Sequence, residues 1–148
     1  MTQKKAIVVD VDGVFLDSYI ILEEIFNLKL KGDDMWSYFH KHCNSDRVTF
    51  IKDMALVLKN LNKEVAIILS TARNECCRED TEEKLKSNNL TYHSLYMRGS
   101  EDKRPSNEVK RDHLIAIGKE FEIIAFVDDD LSNCQMAKEM GILALRKV

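Results

Sequence analysis

The sequence predicts an α/β fold built on a five-stranded parallel sheet, and three features predict it. Short apolar runs, among them Ile7-Val8-Val9 and Val65-Ala66-Ile67-Ile68-Leu69, read as strands buried on both faces. Segments of helical character alternate with these runs, which implies a parallel sheet with right-handed crossovers. Aspartates close two of the runs, as Asp10-Val11-Asp12-Gly13 and as Asp128-Asp129-Asp130. Burying carboxylates there costs free energy unless something compensates them, and a metal ion does so readily.

Taken in order, Lys5 to Val11 is the first strand. Tyr19 to Leu30 suits a helix with Glu23 and Glu24 on one side, broken by Gly32-Asp33-Asp34. Met35 to His42 crowds Trp36, Tyr38, Phe39, His40 and His42 together, and Asn44-Ser45-Asp46 is a turn. Residues 18–48 thus read as a small helical insertion over the strand ends, within a single domain spanning 1–148. Thr49 is placed to cap a helix with Ile51, Met54, Ala55, Leu58 and Leu61 at helical spacing, ended by Asn62-Lys63. Glu64 to Ser70 is the second strand. A charged helix from Arg78 to Asn88 carries Glu82 and Lys86 as an i,i+4 pair. Tyr92 to Met97 is a short third strand, and Arg98 to Arg104 a charged loop. Pro105 suits the first turn of a helix running to Gly118. Glu122 to Val127 is the fourth strand, Ser132 to Met140 a helix stopped by Gly141, and Ile142 to Arg146 the last strand.

This order lets the strand ends converge. Asp10 and Asp12 follow strand one, Thr71 follows strand two, Asp128 and Asp129 follow strand four, and Lys110 lies in the helix entering strand four. Ligands of such sheets bind beyond the carboxyl ends of the strands.

Composition narrows the class. The chain has 148 residues, 45% hydrophobic and 32% charged, which suits one globular domain with a proper core. A net charge of −3 leaves no general nucleic-acid footprint, so any polynucleotide contact must come from a local basic patch. No apolar run reaches membrane-spanning length, and Met1-Thr2-Gln3-Lys4-Lys5 leads straight into a strand rather than a signal peptide. Cys43, Cys76, Cys77 and Cys134 lack zinc-ligand spacing. Reduced thiols and a cytoplasmic location are the expectation.

The phrase Asp10-x-Asp12-Gly13-x-x-x-Asp17 at a strand terminus resembles the signature of the haloacid-dehalogenase-like (HAD) phosphohydrolases. The resemblance implies a HAD-like Rossmannoid three-layer sandwich with a small helical cap, and a Mg²⁺-dependent phosphomonoesterase. Asp10 would attack phosphorus to give an aspartyl-phosphate, and Asp12 would act as acid and then base. Mg²⁺ takes oxygen ligands. The metal set is Asp10, Asp12 (through its backbone carbonyl), Asp128 and Asp129. Gly13 lets the backbone pass close to the phosphate. In Leu69-Ser70-Thr71-Ala72-Arg73, the family pattern assigns Thr71 the phosphoryl contact, with Ser70 competing, and Arg73 has a fork that matches phosphate. Lys110 would neutralise charge at the reacting centre, with Lys103 and Arg111 as nearby alternatives.

A narrower resemblance follows from Tyr96-Met97-Arg98, Asp102-x-Arg104, Val109-Lys110 and Phe126-Val127-Asp128-Asp129. These are similar to the 3′-phosphatase domain of phage-type polynucleotide kinase/phosphatase enzymes, which implies a nucleic acid 3′-phosphate end as substrate. The chain departs from the pattern at Val14, Ser106 and Asp130, and has no Walker-type kinase motif. Trp36, Tyr38, Phe39 and His40 would stack a base and Lys41 and Arg47 hold a phosphate, or the aromatics simply pack a core. His40 and His42 read as surface groups or supports rather than metal ligands. Arg98, Lys103 and Arg104 form a second candidate patch. A phosphatase of free nucleotides or small phosphomonoesters is the competing activity. A nucleic-acid-binding module without turnover fits poorly with the presence of Asp10, Asp12 and Lys110.

Overall fold

The computed structural model describes residues 3–61 and 63–148; Met1, Thr2 and Asn62, the last expected at a helix end, lie outside the described residues. The first strand, β1 (Lys4–Val9), explains the rest of the architecture. Its side chains alternate between two cores. Ala6 and Val8 enter one, with Ile68, Leu114, Ile117, Phe126 and Met136. Ile7 and Val9 enter the other, with Ile21, Phe39, Leu58, Leu69 and Leu85. From Ala6 to Val9 the strand is apolar at every position and buried on both faces, as parallel sheets are.

After β1 the chain makes a tight turn into β2 (Leu16–Asp17), helices α1 (Tyr19–Asn27) and α2 (Gly32–His42), and β3 (Thr49–Phe50). Helix α3 (Lys52–Lys59) leads to β4 (Val65–Asn74), and a 3₁₀ turn (Glu75–Cys77) opens α4 (Arg78–Ser87). Then come β5 (Ser94–Arg98), α5 (Ser106–Gly118), β6 (Phe121–Asp128), α6 (Leu131–Glu139) and β7 (Ala144–Arg146). The five long-sheet strands run in the order β5-β4-β1-β6-β7, all neighbours parallel. Helices α5 and α6 cover one face, and the other helices the opposite one. The result is the expected three-layer α/β sandwich. The strand order reverses between β1 and β6, so Asp10 and Asp128 stand at the topological switch point, where such sheets bind ligands.

Two local expectations change. Thr49 does not cap α3. It pairs with Asp17, while Phe50 pairs with Leu16, in a two-stranded antiparallel ribbon. The ring of Phe50 stacks on Phe15 and the Ile51 amide donates to the Phe15 carbonyl at 2.7 Å, so tertiary pairing outcompetes the cap. Helix α3 starts three residues later, with Asp53 accepting from the Met54 amide. Likewise Gly32 opens α2 rather than ending α1; the chain reverses at Lys29, whose φ is 56°. Asp17 accepts from the Tyr19 amide at 3.3 Å, one residue ahead of Ser18, the N-cap of α1.

Leu114 is almost fully buried between α5 and the sheet. Leu114→Ala is expected to lower unfolding free energy by about 2–5 kcal/mol, read from urea denaturation, because that face leaves a cavity it cannot close.

Candidate active site

The carboxyl ends of β1 and β6 carry the site. Asp10 and Asp128 are buried side by side, and the ammonium of Lys110, on α5, lies between them. Its Nζ donates to Asp10 Oδ1 at 2.7 Å and to Asp128 Oδ2 at 2.6 Å. Burial alone would lower the lysine pKa, but the two carboxylates override it and hold the group protonated. Burial raises the Asp10 pKa well above its ordinary value; Lys110 opposes this, while Asp128 and Asp12 add to it. Asp10 Oδ1 also accepts from the Val11 amide at 2.8 Å, which leaves Oδ2 the less engaged oxygen. Helix α6 supports the second acid: Asn133 Nδ2 reaches Asp128 Oδ2 at 3.1 Å.

Asp12 sits in a different environment. Arg73, on β4, grips it with both arms, Nε to Oδ2 at 2.9 Å and Nη2 to Oδ1 at 2.7 Å. Ser18 donates to Oδ1 at 2.7 Å. Burial pushes the Asp12 pKa up, yet the Arg73 charge and these hydrogen bonds hold it below the usual carboxylate range. Arg73 is itself buried, and its remaining donors go to Asn44, Thr81 and the Cys43 carbonyl. The fork expected to meet a phosphate is thus turned onto Asp12.

Asp129 is partly exposed, and burial raises its pKa. Gly13, at φ +80°, is what lets it approach: a Cβ there would lie 2.0 Å from Asp129 Oδ2. Carboxylate oxygens of Asp10, Asp128 and Asp129 all lie within 4.8 Å of one another. Four carboxylates, with Asp12, face two buried cations, Lys110 and Arg73, so the ionised cleft has an excess of negative charge. An all-oxygen donor set with uncompensated charge fits a hard divalent cation such as Mg²⁺. Asn133 Oδ1, buried on the same wall, has no hydrogen-bond partner among the described residues.

Thr71 is fully buried, and its Oγ accepts from the Arg73 amide at 3.1 Å. Ser70, its rival, is committed elsewhere: its Oγ lies 2.8 Å from His113 Nδ1. The other ring nitrogen is 3.0 Å from the Met97 carbonyl. Because a carbonyl only accepts, Nε2 carries the proton and Nδ1 accepts from Ser70. Burial lowers the His113 pKa to about 4.

Helices α1 and α2 roof a cleft of about 560 Å³ over these residues, with Tyr19, Leu22, Trp36 and His40 on the roof. The aromatic cluster divides. Phe39 is core, Tyr38 bonds Glu24, and Trp36 is 47% exposed at the mouth, where it can meet a ligand. Arg104 lies outside the cleft, held by Asp102 and Asp112, in a second cavity of about 190 Å³ with Arg98 and Lys103. Trp36 and His40 line both cavities.

The chain matches the family model described as the polynucleotide kinase PNKP phosphatase domain, over residues 4–146. It belongs to that family. The PNKP phosphatase-domain chain is similar in structure to a chain of the Pnkp1/Rnl/Hen1 complex, with TM-score 0.78 and 22% identity, covering 99% of this chain and 47% of that one. It therefore spans about half the length of that relative. A haloacid dehalogenase-like hydrolase from Streptococcus pneumoniae has TM-score 0.63 and 18% identity, covering 99% of this chain and 85% of that one. The class C acid phosphatase from Bacillus anthracis with tungstate bound has TM-score 0.61 and 18% identity, with 95% and 63% covered. At these identities the likeness carries the fold alone. No curated protein matches significantly. The domain is thus a HAD-superfamily phosphatase domain of the PNKP type. No helix among the described residues is long and apolar enough to cross a membrane.

Sequence reasoning did not find Ser18, Asn44, Thr81, Asn133 or His113. Each supports a charged residue or a strand end: Asn44 and His113 from distant segments, Ser18, Thr81 and Asn133 from the chain that follows the strand, and no spacing rule marks them. The departures do have structural reasons. Val14 is wholly buried in the core, Ser106 accepts from Asn133, and Asp130 caps α6 by accepting from the Asn133 amide.

His113 gives a pH test. Its folded pKa lies below the ordinary 6.5, so the unfolded chain binds the proton first. The stability of its neutral, bonded form is complete above pH 6.5 and is lost as pH falls toward 4. Comparing urea midpoints at pH 7 and pH 5, wild type should lose ~2 kcal/mol more than His113→Gln.

Proposed function

We propose that this domain is a Mg²⁺-dependent phosphomonoesterase that works through an aspartyl-phosphate on Asp10 and removes 3′-phosphate from polynucleotide ends. The observation that carries the reading is Lys110 held between Asp10 and Asp128 on the floor of a roofed cleft. Asp10, Asp128, Asp129 and the Asp12 carbonyl would hold the cation, which when bound supplies charge neutralisation to the phosphoryl group.

Asp10 is the nucleophile. Its oxygen forms the bond to phosphorus as the ester oxygen leaves. Lys110 opposes the upward push of burial on the Asp10 carboxylate and offers its positive charge to the phosphoryl oxygens, the main catalytic task in this chemistry. Asp12, ionised at rest, takes up the proton that a monoanionic phosphate monoester brings with it and passes it to the departing oxygen; once more ionised, it takes a proton from the water that cleaves the acyl phosphate. Arg73 and Ser18 hold Asp12 in place and ionised in the resting state, which suits the base step. Arg73 is thereby a positioning residue for Asp12 rather than a direct phosphate ligand. Thr71, fully buried inside β4, is the hydroxyl for the phosphoryl oxygens.

The polynucleotide part rests on family membership and on the second cavity. A strand whose terminal phosphate enters the cleft would pass Trp36, which can stack a base. It would then reach Arg98, Lys103 and Arg104, where the next phosphate would lie. Similarity to a chain of the Pnkp1/Rnl/Hen1 RNA repair complex makes RNA ends the first substrate to try.

Mg²⁺-dependent phosphate release should be faster from 3′-phosphorylated RNA or DNA oligonucleotides than from mononucleotides, and Asp10→Asn should abolish it. A marked preference for mononucleotides would overturn the polynucleotide assignment. Asp12→Asn should cost turnover of an alkyl phosphate more than that of p-nitrophenyl phosphate, whose leaving group departs without a proton; equal losses would remove Asp12 from the acid step. Trp36→Ala should raise the oligonucleotide KM and leave the p-nitrophenyl phosphate KM unchanged; equal effects on both would assign Trp36 to packing.

A further inference from the structure

Beyond the carboxylate cleft, the fold gathers a second set of ligating atoms of the opposite chemical character. His40 projects from the last turn of α2, while Cys76 and Cys77 lie in the 3₁₀ turn after β4. A ring nitrogen of His40 and the two Sγ atoms all lie within 4.8 Å of one another. The two sulfurs are 3.7 Å apart. Zinc binds thiolate at about 2.3 Å, so neighbouring thiolates in a tetrahedral site stand roughly 3.8 Å apart. The sulfur pair already has that separation. Cys77 is buried and Cys76 exposed, so the set has both a dry wall and an entry path. The thiol of Cys43 borders Cys77, and its Sγ approaches the His40 carbonyl at 3.7 Å, as the Cys77 Sγ does at 3.8 Å.

We propose that His40, Cys76 and Cys77 form a binding site for a thiophilic divalent cation of the Zn²⁺ class, separate from the all-oxygen carboxylate site. Two thiolates and one neutral imidazole balance the charge of such an ion. Three protein donors leave one tetrahedral position for water or for Cys43. Hard Mg²⁺ prefers the oxygen cleft, and soft ligands select the other ion, so the two sites sort their metals by donor chemistry. The ion would tie the roof helix α2 to the corner of β4, three residues after Arg73, and so fix the roof over the cleft.

Cobalt(II) is the probe, added to the reduced protein in a phosphine reductant with excess Mg²⁺ present. One equivalent should bind and produce a thiolate-to-cobalt charge-transfer band that Zn²⁺ abolishes. It should also quench the single tryptophan, Trp36, whose ring stacks on His40 at 6.3 Å. Cys76 is exposed, so Cys76→Ser should leave the fold intact by circular dichroism; it and His40→Gln should each weaken cobalt binding at least roughly tenfold. Asp10→Asn should bind cobalt with an unchanged band, which separates this site from the catalytic reading. Absence of the band at millimolar cobalt would overturn the proposal, as would a band of full strength in both Cys76→Ser and His40→Gln.

Discussion

The ammonium of Lys110 is the constraint on which the rest depends. Asp10 and Asp128 end adjacent parallel strands, and the sheet forces their carboxylates together in a buried space. Two such anions without a partner would repel and resist ionisation. Lys110 reaches in from α5 and meets both at hydrogen-bond distance. The crossover from β5 to β6 therefore does more than connect strands: it delivers the cation that makes the paired acids tolerable. It also leaves them short of full compensation, which is the condition for drawing in a divalent ion.

Arg73 plays the corresponding part on the other side of the cleft. Its guanidinium is buried, and its bonds to Asp12, Asn44 and Cys43 join segments far apart in the chain. It holds Asp12 from β4, and reaches Asn44 and the Cys43 carbonyl at the end of α2. The roof and Asp12 are thus mechanically coupled. Two carboxylates one residue apart in sequence acquire opposite tendencies: Asp10 is pushed up by burial and Asp12 held down by Arg73. Divergent environments of this kind suit one residue to attack and its neighbour to exchange protons.

Much of the fold was legible because its physics is local. A strand that is apolar at successive positions must be buried on both faces, and β1, β4 and β6 read that way. The paired aspartates announced the strand ends, and Lys110 was found from its place in the helix entering β6. The short ribbon of β2 and β3 was not legible. Thr49 carries a good capping side chain, but Phe50 on Phe15 and the Ile51 amide on the Phe15 carbonyl outweigh it. Arg73 was recognisable as important, yet its partner was not, because the choice between phosphate and Asp12 depends on which side of β4 faces the strand-one turn.

By itself the sequence determined the α/β class and the acids at the strand ends, since each follows from periodicity or from motif spacing along one segment; the family resemblance pointed to Lys110. Only the tertiary structure decided what those groups touch. It placed Arg73 on Asp12, set His113 against Ser70, and divided the aromatic cluster into a buried Phe39 and an exposed Trp36. It also brought His40 to Cys76 and Cys77, which no spacing rule joins. The reason is the same in each case: these contacts link residues more than thirty positions apart or depend on which face of an element is turned inward, and local pattern carries neither.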